Sequence, residues 1–205
     1  MKFYRLNRWA AGHVPYLLVL IVAVVLLWGD HAIARKQKTA ADRAQRMIDA
    51  VLVKAPQDLE VCFSPAELCD IKLIKFVQSA QKSLDIAIYD INIDQLVHEI
   101  LLQSKKIPVR IIVDRRQSKG DHSLVPLLKK AGADIRYGHQ RGIFHNKFTI
   151  VDHKMLETGS FNYTNHAFTA NHENQIYLAN PKVVETYQKH FDELWRQADP
   201  IPDQK

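Results

Sequence analysis

His145 and Lys147 stand two residues apart in the run FHNKFTIV, and that spacing is the first sign of chemistry in this chain. If Phe144 to Val151 forms a strand, residues of equal parity share a face. His145, Lys147 and Thr149 then project together, while Phe144, Asn146, Phe148 and Ile150 project oppositely. An imidazole, able to act in neutral or protonated form, thus lies beside a fixed cation. The pair suits phosphate chemistry: lysine holds phosphoryl oxygens and offsets their developing charge, leaving neutral imidazole free to act as nucleophile or base. Downstream, Gly159-Ser160 opens a tight turn, and the hydroxyl of Ser160 and the amide of Asn162 could donate to the same oxygens. Glu173 could accept from the far nitrogen of His145 and fix its tautomer. Asp152 has the opposite parity to His145, which assigns it a structural role.

A solitary His-x-Lys is an ordinary solvated pair. Six identities at fixed spacing (His145, Lys147, Asp152, Gly159, Ser160 and Asn162) coincide by chance in on the order of one in a hundred thousand chains of this length. The pattern resembles the signature H-x-K-x(4)-D-x(6)-G-S-x-N of the phospholipase D superfamily. It is most similar to the small single-motif bacterial endonucleases, and the mitochondrial outer-membrane members look similar too. The likeness runs from about Glu60 to Trp195 and takes in Phe63-Ser64-Pro65, Ala87-Ile88-Tyr89, Ile111 to Asp114, and Glu173 to Leu178. The resemblance implies a nucleophile at His145 and phosphate binding by Lys147 and Asn162, with Ser160 also matching. It places histidine support at Glu173.

Cleaving a phosphodiester through a phosphohistidine needs an attacking imidazole and a proton donor for the leaving oxygen, so two histidines in opposite protonation states are required. His145 is the only histidine with lysine two residues on; His139 is followed by Gln140 and Arg141. One chain therefore holds half a site. Single-motif members of the family pair across a twofold axis, so the resemblance implies a homodimer with one joint active site. No metal or cofactor is required. His98, His122, His166, His172 and His190 are scattered singly, as core or surface residues would be.

The elements that must position these groups alternate short β-rich runs with amphipathic ones. Strands are expected at Leu59 to Phe63, Ser83 to Tyr89, Val109 to Val113, near Ile135, Phe144 to Val151, Met155 to Thr158 and Asn174 to Leu178. Helices are expected at Ala66 to Gln81, Ile93 to Lys105, Ser123 to Ala131 and Pro181 to Arg196, the last with Asn180-Pro181 as cap and first turn. The loops are Arg115 to Asp121 and Tyr137 to Gly142. The fold class is α/β: an α-β-α sandwich with a mixed sheet, as in the phospholipase D-like fold, preceded by an N-terminal apolar helix.

With 205 residues and 47% hydrophobic content, the chain can bury one sizeable core. Residues 57–200 are read as the catalytic domain. Val14 to Trp28 is uncharged and mostly aliphatic, so residues 1–34 meet a membrane, either as a retained anchor or as a signal removed after Ala32-Ile33-Ala34. The domain is then membrane-anchored or exported, with no orientation set by the flanking charges. Residues 35–56 read as a helical spacer. Cys62 and Cys69 form either a local disulfide or two unpaired thiols.

A net charge of +6 favours an anionic partner. Nucleic acid is the first substrate expected, with Arg115, Arg116, Lys119, Arg136 and Arg141 in loops that could flank the site. Phospholipid is the alternative, because the family includes lipid-directed enzymes and the chain meets a membrane. A membrane-tethered nucleic-acid-binding protein without turnover is a third reading, opposed by the intact set of reactive residues.

Overall fold

The computed structural model describes residues 59–138 and 141–202; the expected membrane segment, the spacer and His139 lie outside them. The chain runs β1 (Leu59–Ser64), α1 (Cys69–Gln78), β2 (Leu84–Ile88), α2 (Asp94–Ser104), β3 (Val109–Val113) and a 3-10 turn (Gln117–Lys119). It continues through α3 (Val125–Lys130), β4 (Asp134–Tyr137), β5 (Lys147–Val151), β6 (Met155–Gly159), α4 (Asn165–Thr169), β7 (Glu173–Leu178), α5 (Pro181–Gln197) and β8 (Asp199–Pro200). All strands join one eight-stranded sheet in the order β1-β7-β6-β5-β2-β3-β4-β8. β2, β3 and β4 are parallel and the remaining pairs antiparallel, so the sheet is mixed.

Side-chain alternation divides the core between two faces. Ile86 and Ile88 of β2 pack with Leu73 and Val77 of α1 and Leu96 and Ile100 of α2. Ala87, between them in sequence, joins Ile112, Phe148 and Ile150 on the other face, under Val184, Phe191 and Trp195 of α5. Helices thus cover both faces of the sheet. Asp85 and Arg110, neighbours across β2 and β3, fasten α5 ionically. The Arg110 guanidinium donates twice to Asp85 at 2.7 Å and once to Asp192 at 2.9 Å, and stands 4.9 Å from the centre of the Phe191 ring. Two-point pairing of this kind offsets the desolvation of a nearly buried carboxylate.

Several boundaries differ from the expectation for local reasons. The first helix starts at Cys69 and not Ala66, because Glu67 turns back on β1: its N–H donates to the Phe63 carbonyl and its carboxylate accepts from the Phe63 N–H, both at 3.0 Å. A disulfide joins Cys62 to Cys69 across the same turn, deciding between the two readings of the cysteines. The fifth strand starts at Lys147 and not Phe144, because its neighbour β2 ends at Ile88, the partner of Lys147. α4 and β8 were not expected. Five and two residues carry too little periodicity to be read, although Thr164 caps α4 by accepting from the Ala167 N–H. Among the described residues no helix is long and apolar enough to cross a membrane.

Candidate active site

Ile88 pairs with both Val113 and Lys147, and Phe148 pairs with Thr158, so the ends of β2 and β3, the start of β5 and the turn after β6 meet at one edge of the sheet. The segment before β5 is held there by Asp114. One carboxylate oxygen accepts from the Phe144 N–H at 2.8 Å, and the other from the N–H groups of Arg116 and Gln117. The Phe144 ring lies over Gly138, where a Cβ would fall 2.2 Å from it; only glycine leaves that seat open. Both contacts fix the backbone immediately before His145.

His145 is exposed, outside the strand that was expected to carry it. Its ring meets Tyr89 edge-on, with centroids 4.7 Å apart. Lys147 reaches the same tyrosine, its Nζ 5.3 Å from the ring centre, and donates to the His145 carbonyl at 3.2 Å. Tyr89 thus brings imidazole and ammonium together, a role its sequence position does not signal. Lys147 is only 9% exposed. Burial pushes its ammonium below the ordinary lysine value, while the negative charge of Glu173 acts in the opposite direction. A cation with so little water around it interacts more strongly with an arriving anion.

Thr149 does not share this surface. It is fully buried and bonds to the Tyr163 hydroxyl at 2.6 Å, because α1 and α2 cover that face of the sheet one step beyond Lys147. Glu173 makes a different contact from the one expected. Its carboxylate accepts from the Ser160 hydroxyl and, at 2.9 Å, from the Asn171 side chain; among the described residues no hydrogen bond joins it to His145. Ser160 is further held by its own N–H on the Asn174 carbonyl at 3.1 Å. That approach needs Gly159, since a Cβ there would stand 2.1 Å from the same carbonyl oxygen. Asn162 follows on the turn, with its Oδ1 buried and unpartnered among the described residues.

Asp152 lies at the far end of β5, in the left-handed region at φ 55°. Its carboxylate accepts from the N–H groups of Gln81, Lys82 and Ser83 at 2.7 to 3.1 Å, closing the turn that leads into β2. Asp152→Ala leaves these donors without their charged acceptor, and about 2 kcal/mol of stability should be lost, read as a lowered urea midpoint at unchanged slope.

Two cations expected to flank the site are committed elsewhere. Arg136 stacks 4.1 Å over Trp195 and donates to its carbonyl, packing α5. Arg115 pairs with Asp199 and lies over Tyr137. Arg116, Lys119 and Arg141 are exposed, as are His98, His122, His166, His172 and His190. Cys62, Glu67 and Cys69 form a group of potential metal ligands, but the two sulfurs are bonded to each other.

Residues 73–195 match the family described as "Cardiolipin synthase, PLD-like domain". The chain belongs to the phospholipase D superfamily. This superfamily member is 35% identical over 140 residues to a mitochondrial cardiolipin hydrolase of Chlamydomonas reinhardtii, covering 68% of this chain and 62% of that protein. It is 32% identical over 136 residues to a phospholipase D of Rickettsia prowazekii, covering 65% and 66% of the two chains. The chain therefore spans about six-tenths of the length of the curated relatives it matches. Its fold is similar to the crystal structure of Nuc from Salmonella typhimurium, a phospholipase D family member. The TM-score is 0.66 at 28% identity, over 71% of this chain and 98% of that one. In the superfamily member described here, the signature residues from His145 to Asn162 gather at the sheet edge, apart from Asp152 at the opposite end.

Proposed function

We propose that this chain is a metal-independent phosphodiesterase that works as a homodimer on nucleic acid. The observation that carries the proposal is the meeting of His145 with the largely buried Lys147 on the Tyr89 ring, within reach of the negative charge of Glu173, which holds Ser160. Lys147, Ser160 and Asn162 bind the phosphoryl oxygens. His145 attacks phosphorus, forming a P–N bond as the bond to the leaving oxygen breaks, and the His145 imidazolium of the second copy gives that oxygen its proton. Water then attacks the phosphohistidine. The P–N bond breaks, and the neutral imidazole of the second copy takes the proton from water. Glu173 orients the hydroxyl of Ser160 and balances the charge of Lys147.

Nucleic acid is favoured by the net charge of +6 and by exposed Arg116, Lys119 and Arg141, which can meet phosphates on either side of the scissile one. Phospholipid head groups are the second reading, favoured by relatives named cardiolipin hydrolase and phospholipase D. The N-terminal segment, read as an anchor or export signal, supports a site of action at or beyond a membrane.

The test is incubation of the purified chain with plasmid, single-stranded DNA, RNA and cardiolipin vesicles in excess chelator. Cleavage of nucleic acid with vesicles intact is the expected result. Vesicle hydrolysis alone selects the second reading, and activity that disappears in chelator and returns with a divalent ion overturns the mechanism.

A further inference from the structure

Beneath the sheet edge lies a buried polar group that the mechanism leaves unused. Glu157 of β6 is fully buried, opposite Thr149 of β5 and Tyr177 of β7. The Tyr163 hydroxyl donates to its Oε2 at 2.6 Å and shares a second 2.6 Å hydrogen bond with Thr149 Oγ1. One phenol is thus fastened to two neighbouring strands, and β5 is the strand that begins with Lys147. The backbone of Tyr163 is held as firmly. Its N–H donates to the Asp90 carbonyl at 3.1 Å, and its carbonyl accepts from Asn92 at 2.8 Å and Ile93 at 3.2 Å.

Asn162 stands between Phe161 and Tyr163, both buried. Its own Oδ1 finds no hydrogen-bond partner among the described residues, so no side-chain bond through that atom sets the direction of its amide. The backbone must do so, and Tyr163 is the adjoining residue with side chain and main chain both fixed. We propose that Glu157 is a positioning residue for the phosphate-binding Asn162, acting through the hydroxyl of Tyr163. This rests on the reading of Asn162 as a phosphate ligand given above.

The chemistry of the pocket is consistent with a neutral clamp. Burial pushes the Glu157 carboxyl up to about 8, opposed by the Tyr163 hydrogen bond, so it is mostly protonated at pH 7. The groups facing it are Thr149 from β5, Tyr177 from β7 and Tyr163; Glu60 and Asp70 act on Tyr177, over whose ring Lys72 sits at 5.1 Å. Glu157→Leu or Tyr163→Phe removes the clamp while keeping the apolar volume. Glu157→Gln keeps an acceptor for the phenol and stays neutral.

A double-mutant cycle on the full chain distinguishes positioning from simple support. The readouts are turnover of bis(4-nitrophenyl) phosphate and binding of inorganic phosphate, at temperatures where every variant is folded. Asn162→Ala should cost about a hundredfold in kcat, and Tyr163→Phe and Glu157→Leu about tenfold each. In the Asn162→Ala background, Tyr163→Phe and Glu157→Leu should cost almost nothing more, for turnover and for phosphate affinity alike. Glu157→Gln should return turnover at pH 7 to within about threefold of the parent. Because the folded carboxyl titrates near 8 and the unfolded one near 4.5, the stability tied to its protonation is complete below 4.5 and is lost as pH rises to about 8. The parent's thermal midpoint should therefore fall relative to that of Glu157→Gln across this window.

Losses that multiply in full with that of Asn162→Ala would overturn the positioning role. If Glu157→Leu does not fold, Tyr163→Phe carries the same cycle. A parent protein that neither cleaves the diester nor binds phosphate overturns the proposed function itself, and the positioning role with it. Normal turnover with a fully multiplicative cycle overturns the positioning role alone.

Discussion

His145→Ala is expected to lower kcat for a phosphodiester by about 10,000-fold, close to 5.5 kcal/mol of transition-state stabilisation, with KM little changed. The split follows from the division of labour at the sheet edge. The cation proposed to grip the phosphate is Lys147, which stands over the Tyr89 ring and donates to the His145 main-chain carbonyl, not to its imidazole. On the proposed roles, removing the ring takes away the nucleophile and spares the anion site. Fold is spared as well, because His145 is exposed and its backbone is fixed by the Asp114 and Gly138 contacts of Phe144. A variant that keeps ordinary turnover removes His145 from the chemistry, and one that raises KM alone makes it a binding residue.

The second large effect concerns partnership between subunits. In-line displacement at phosphorus needs a nucleophile on one side and a proton for the oxygen leaving on the other, and one imidazole cannot reach both positions. Within a chain no other histidine has a lysine two residues on, and the six others among the described residues are all exposed. A dimer that joins one intact subunit to one His145→Ala subunit is therefore expected to be inactive. Each mutant subunit should disable a wild-type partner that would otherwise have been productive.

The superfamily signature was legible because phosphodiester chemistry calls for particular residue types at particular spacings. Parity set Asp152 on the opposite strand face from His145; neither residue lies in β5, and what separates them is the length of that strand, at whose far end the Asp152 carboxylate accepts from three backbone N–H groups in a structural role. The sandwich followed from alternating apolar periods, whose strong members, β2, β3 and α5, lie within two residues of their expected bounds. What escaped was set by contacts between segments distant in sequence. Phe144 to Asn146 reads as strand, yet there is no β2 residue left to pair with it and Asp114 takes its first N–H. Thr149 looks like a surface residue until the helices covering its face are placed. Glu157 falls in the expected strand Met155 to Thr158, and nothing in that run signals that its carboxyl is fully buried and bonded by the Tyr163 hydroxyl arriving from the next loop. Arg136 looks like a substrate cation in sequence because nothing local announces Trp195, on which it lies.

Mixed dimers test most directly whether two subunits share one reacting phosphorus. Wild-type and His145→Ala chains carrying different affinity tags are co-expressed in equal amounts and assayed as the total dimer pool. Random pairing makes about one quarter of the dimers wild type on both sides. The shared-site account predicts that activity falls to that quarter, with purified mixed dimers inactive. Activity of about one half, with mixed dimers turning over at half the wild-type rate, would mean that each chain works alone and would contradict it.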